Sequence, residues 1–132
     1  MWPRVNGMRS LELCTPGALR AELNALVLAG AKTTTTGVLA DYAKETEDLE
    51  YPGERLAVLD DDGGCVATVE ITGTEVLPLA DVTWAHADAE GEGFTGLADW
   101  RSGHDRHWAR QGTHVTDGTL VVCLAFRLVA GS

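Results

Sequence analysis

Gly30-Ala31-Lys32-Thr33-Thr34-Thr35-Thr36 sets one amine beside four hydroxyls, directly after a stretch patterned like an amphipathic helix. A lysine deprived of water can give up its proton and act as a base, and a threonine hydroxyl in reach can then attack or orient a carbonyl. Local shape decides which threonine that is. In a strand, alternate side chains share a face, so Lys32 stands with Thr34 and Thr36 and points away from Thr35. On a helical turn Lys32 meets Thr35 instead. Consecutive β-branched residues argue against a long helix but tolerate one turn. The plainer alternative is a solvated Thr-rich strand carrying an exposed lysine.

A second constellation is Glu90-Gly91-Glu92-Gly93. Its glycines permit a tight turn with close backbone approach, and its carboxylates either face a pocket or stay solvated. His104 and His107 lie three apart on a predicted helix but lack a third ligand at any recognisable spacing, so neither a metal nor a cofactor is expected. Packing suits one of these histidines, and a pocket edge or solvent the other. Trp84, Trp100 and Trp108 offer faces on which a base can stack, yet Trp100 and Trp108 continue the Leu97 stripe and read as core. Walker, dinucleotide-fingerprint and serine-elbow motifs do not occur.

The elements that position these groups follow from periodicity. Thr15-Pro16 reads as an N-cap with proline at the first helical position, and Leu19, Leu23, Leu26 and Val27 form a stripe that ends before Gly30, about four turns in all. Val38 to Ala43 extends or restarts helix, and the charged segment Lys44 to Glu54, with Pro52-Gly53, reads as a loop able to rim a site. Arg55 to Asp60 and Cys65 to Thr72 read as strands around an Asp-Gly turn, with a third strand at Thr74 to Pro78. Val82 to Ala89 looks helical, as does the segment carrying Leu97, Trp100, His104 and Trp108, and a strand closes the chain at Thr119 to Val129. Helices gathered at both ends of a strand series argue for α+β with a mainly antiparallel sheet or small barrel.

The 132 residues fit a single domain over 1–132 with one core, and the 45% hydrophobic content is that of a globular protein. The longest apolar stretch, Thr119 to Phe126, is far short of the roughly 20 residues that a membrane helix needs. No apolar block follows Arg4 and Arg9, so no secretory signal and a cytoplasmic location are expected. Cys14, Cys65 and Cys123 form no disulfide framework, which suits a reducing compartment. A net charge of −10 repels polyanions and disfavours duplex DNA, although a basic concavity around Lys32 and the Arg101 to Arg110 segment can hold one nucleotide.

Taken together, these features resemble the ASCH domain family, a branch of the PUA-like superfamily. The likeness runs from Leu23 to Gly30 into the signature G-x-K-x-x-T, here Gly30 to Thr35. It continues through Asp41-Tyr42, then Glu90-Gly91-Glu92-Gly93, Leu97-x-x-Trp100-Arg101 with His104, and the final Val121-Val122-Cys123-x-x-Phe126. The resemblance implies a small, mainly antiparallel β-barrel flanked by helices, with a cleft beside it lined by the signature lysine and threonine. It implies a nucleoside or single-stranded RNA as partner, and hydrolysis of N(4)-acetylcytidine-like amides as the activity. A noncatalytic RNA-binding module and a ribonuclease are the alternatives. Carried onto this chain, Lys32 is the base, Thr35 the nucleophile and Glu90 the acid/base or orienting carboxylate, with Glu92 as substitute. Thr33, Tyr42, Glu92, Arg101 and His104 are the expected substrate contacts. The trio answers the needs of amide cleavage, which takes a nucleophile, an acceptor for its proton and a donor for the leaving amine.

Overall fold

The computed structural model describes residues 1–129, so the end of the domain expected over 1–132 lies outside the described residues. In chain order the elements are β1 (Arg4–Val5), β2 (Met8–Leu11), α1 (Ala18–Leu28), β3 (Thr34–Val38), α2 (Leu39–Lys44), β4 (Arg55–Leu59), β5 (Cys65–Pro78), α3 (Trp84–Ala89), α4 (Leu97–Arg110) and β6 (Leu120–Leu128), with a short 3-10 turn at Leu79–Asp81. The strands form one six-stranded sheet in the order β1-β2-β4-β5-β6-β3, antiparallel except where β2 runs parallel to β4.

Strand β6 shows why the sheet is covered on both sides. Its Val122, Leu124 and Phe126 join Leu23, Val27, Tyr42, Leu56 and Val69 in one core cluster. The intervening Val121 and Cys123 join Val38, Val82, Ala87, Trp100 and Trp108 in another. Side chains alternate between faces along a strand, so a nearly continuous apolar run marks a strand buried on both. Helices α1 and α2 contribute to the first cluster, α3 and α4 to the second.

The α+β class and the mainly antiparallel sheet hold, but the expected barrel does not: the sheet stays open, with β1 and β3 at its edges. Strands β2 and β3 line one cavity without pairing, together with Trp2, Tyr42 and Trp108. The separate strand expected at Thr74 to Pro78 is instead the second half of β5, which shifts register between Ile71 and Gly73. Its first half pairs with β4, and from Val69 onward it pairs with β6.

Helix α1 begins later than expected. Gly17, not Thr15, is its N-cap, and no side chain caps it. Its buried stripe is Arg20, Leu23, Asn24 and Val27, whereas Leu19 is exposed. The polar members reach backbone carbonyls: Arg20 Nε donates to that of Leu13 and Nη2 to that of Cys14, and Asn24 Nδ2 donates to that of Leu59, while Asn24 Oδ1 is buried without a partner among the described residues. Among the described residues no helix is long and apolar enough to cross a membrane.

Candidate active-site groove

The lysine is delivered by the end of α1. Gly30, at φ +75°, reverses the chain, and the Leu26 carbonyl accepts from the N–H groups of both Ala31 and Lys32. The Thr33 N–H then donates to the Ala89 carbonyl at the end of α3. Gly91, at φ +70°, packs so tightly on the Ala31 carbonyl that a Cβ there would collide with it. The acidic turn is thereby pressed onto the lysine segment by two backbone contacts.

Lys32 is 2% exposed, and its Nζ donates to Glu92 Oε2 at 2.8 Å and stands 4.0 Å from Glu90 Oε1. Glu90, 1% exposed, sits at the centre of a network. Thr36 Oγ1 donates to its Oε2 at 2.8 Å and contacts His86 Nε2 at 2.7 Å. His104 Nε2 lies 3.2 Å from Glu90 Oε1, while Nδ1 of the same ring is 3.0 Å from the Trp100 carbonyl. That carbonyl can only accept, so Nδ1 carries a proton. The ring is further held by stacking on Trp100 at 4.2 Å.

The two carboxyls of one turn are driven in opposite directions. Burial pushes Glu90 up, but the imidazoles of His104 and His86 and the charge of Lys32 outweigh it, leaving Glu90 well below the usual carboxylate range. Burial also pushes Glu92 up, and there the pull of Lys32 does not compensate; the charge of Glu90 adds to the rise. Paired groups whose environments separate their protonation in this way have the character of acid/base sites.

Two cavities open beside this network, of about 260 and 310 Å³, and both are bounded by Leu13, Cys14, Thr35, Thr36 and His107. The smaller contains Lys32, Glu90, Glu92, Phe94 and His104; the larger contains Trp2, Tyr42 and Glu50. Through these shared residues, two of them on β3, they adjoin as two halves of one groove.

Of the residues expected at the site, Lys32, Glu90, Glu92 and His104 are brought into contact. Thr35 lines both halves, and its hydroxyl makes no hydrogen bond among the described residues. The strand alternation sets Thr34 and Thr36, not Thr35, on the side of the Lys32 network, since Thr34 Oγ1 donates to the His86 carbonyl as Thr36 reaches Glu90. Tyr42 is buried in the larger half and donates to Glu50 at 2.7 Å. Thr33 and Arg101 line neither half: Thr33 Oγ1 donates to the Ala89 carbonyl, and Arg101 is paired with Asp105 and Asp117. Thr36, His86, Phe94 and Cys14 are additional members. His86 had a readable signal, its i,i+4 spacing from Glu90 on a helix. Among the described residues no group of three or more His, Cys, Asp or Glu side chains is arranged to hold a metal ion.

A family model described as the ASCH domain matches residues 11–130. The fold is similar to the ASCH domain from Lactobacillus crispatus JV V101, with TM-score 0.78 and 23% identity over 92% of this chain and 80% of that one. It is also similar to protein EF3133 from Enterococcus faecalis V583, with TM-score 0.71 and 30% identity over 82% of this chain and 67% of that one. No curated protein matched the sequence.

Proposed function

The chain belongs to the ASCH domain family, and from that premise we propose that its groove binds a nucleoside and hydrolyses the amide of an N(4)-acylated cytosine. The observation that carries this reading is the buried Lys32 between two carboxylates of opposite protonation tendency, lining the same cavity as the unengaged hydroxyl of Thr35. In the proposed reaction Glu92 takes a proton from Lys32, and the free amine withdraws the proton of Thr35 as its oxygen attacks the acyl carbonyl. The C–N bond breaks, the cytosine amine leaves with a proton returned by Lys32, and water releases the acyl group from Thr35. Glu90, ionised and held by Thr36, His86 and His104, orients the lysine.

Two features support a small nucleoside over a long RNA. The chain carries a net charge of −10, and the charged groups of the larger half, Glu12, Asp41 and Glu50, are all acidic. A phosphate would be repelled there, whereas a neutral sugar or base would not. Phe94 and the Trp2 and Tyr42 rings supply apolar faces within the groove.

The test is acetate release from N(4)-acetylcytidine by the wild type and by Lys32→Ala, Thr35→Ala and Glu92→Gln. Turnover by the wild type that is lost in the first two and falls in the third is expected. Absence of turnover in the wild type, with salt-dependent RNA binding, would replace hydrolysis by a noncatalytic RNA-binding function.

A further inference from the structure

We propose that Cys14 and His107 form a thiol–imidazole pair that accepts acyl groups from activated esters or thioesters entering the groove. The two come together from opposite ends of the chain, with Cys14 Sγ 3.6 Å from His107 Nδ1. Both line both halves of the groove, so the pair stands at their junction. The thiol lies on the segment after β2, whereas Lys32 precedes β3 and Thr35 lies within it. The proposal therefore does not depend on amide hydrolysis by Thr35.

Three features make this thiol unlike the other two. Cys14 adopts a left-handed backbone, φ +58°, which a non-glycine residue holds only where its surroundings enforce it. The buried Arg20 does so, donating to the carbonyls of Leu13 at 3.0 Å and Cys14 at 2.7 Å while standing 3.6 Å from Asp61. Burial, then the charges of His104 and Arg110, hold His107 below its ordinary value, which makes it a weaker base but leaves the ring neutral, with a lone pair open to the thiol proton. By contrast, Cys65 is exposed and its thiol donates to the Ala67 carbonyl, while Cys123 is buried and pushed up to about 12.

The thiolate, not the thiol, is the nucleophile. The Sγ proton passes to His107 Nδ1, and Sγ attacks the acyl carbonyl. The carbonyl–oxygen bond of an ester, or the carbonyl–sulfur bond of a thioester, then breaks. The leaving group departs with the proton from His107, and the product is acyl-Cys14.

The experiment incubates the full chain with p-nitrophenyl acetate and follows S-acetylation by intact mass and peptide mapping. Cys14 is expected to be acetylated at least tenfold faster than the exposed Cys65. His107→Gln is expected to slow labelling of Cys14 at least tenfold while leaving Cys65 unchanged, and Cys65→Ser is expected to label Cys14 at the wild-type rate. Thermal melting of each variant separates loss of the pair from loss of the fold. Equal labelling of Cys14 and Cys65, or labelling of Cys14 at the wild-type rate in folded His107→Gln, overturns the proposal. N(4)-acetylcytidine is absent from the assay, so failure here leaves the amide reading untouched.

Discussion

Replacing Lys32 by Met keeps the length of the side chain and removes its charge, so it isolates the ammonium's contribution to the fold. The wild-type Nζ is 2.8 Å from Glu92 and 4.0 Å from Glu90, and Lys32 and Glu90 are 2% and 1% exposed. Removing one partner of such a buried pair leaves an uncompensated charge, which costs about 3–5 kcal/mol. Glu92 retains some access to water, and Glu90 keeps two imidazoles and a hydroxyl, so the low end, about 3 kcal/mol, applies. Unfolding entropy near 2.1 cal/mol/K per residue gives about 0.28 kcal/mol/K for 132 residues, so Tm should fall by about 11 °C. In Lys32→Met/Glu92→Gln one of the two orphaned carboxylates is gone. The double variant should recover about 1–2 kcal/mol relative to additivity, a coupling within the range for contacting groups. Urea denaturation at neutral pH measures both quantities. A loss below about 1 kcal/mol together with strict additivity would refute a lysine buried between two carboxylates.

Thr36→Val deprives Glu90 of a donor and should cost about 1–3 kcal/mol in urea denaturation, whereas Thr35→Val loses no hydrogen bond and should stay within about 0.5 kcal/mol while abolishing acetate release. Gly91→Ala places a Cβ against the Ala31 carbonyl at φ +70°, where the left-handed backbone alone costs about 1–2 kcal/mol; a lowered Tm and lost turnover are expected as both carboxylates shift. Burial raises the Glu50 carboxyl against the opposing hydrogen bond from Tyr42, so the folded state holds this proton more tightly than the unfolded one. Its contribution is complete below the ordinary carboxylate pKa and is lost as pH rises. Glu50→Gln should therefore gain stability relative to wild type as pH rises above the ordinary carboxylate range, and a difference that stays flat as pH rises contradicts the assignment.

Much of the fold was legible because it rests on local pattern. The apolar run marked the closing strand β6, and the recurrence of Leu97, Trp100, His104 and Trp108 marked α4. The hairpin β1-β2 has a local signal too: Asn6 and Gly7, both at positive φ, join Val5 to Met8 in the two-residue turn that Asn-Gly favours. What pattern could not supply was long-range pairing. The parallel match of β2 with β4 leaves β3 unpartnered on one side, and no residue within either strand announces it. Arg20 reads as a solvent-facing residue until its guanidinium finds the carbonyls of Leu13 and Cys14.

The site was legible to the extent that strand alternation governs it. A strand places Lys32 with Thr34 and Thr36, and the contacts to His86 and Glu90 follow that face. The separate characters of Glu90 and Glu92 were not legible, because a one-residue spacing says nothing of depth. Depth follows from Gly91, whose positive φ turns Glu90 inward to two imidazoles and a hydroxyl and leaves Glu92 at the mouth, 20% exposed. A buried carboxylate met by that many donors stays ionised, and its negative charge in turn makes the ionised form of its neighbour less favourable. One glycine thus gives two identical side chains different surroundings: the inner carboxylate is enclosed 4.0 Å from Lys32, and the outer one accepts from Lys32 at 2.8 Å while keeping access to water.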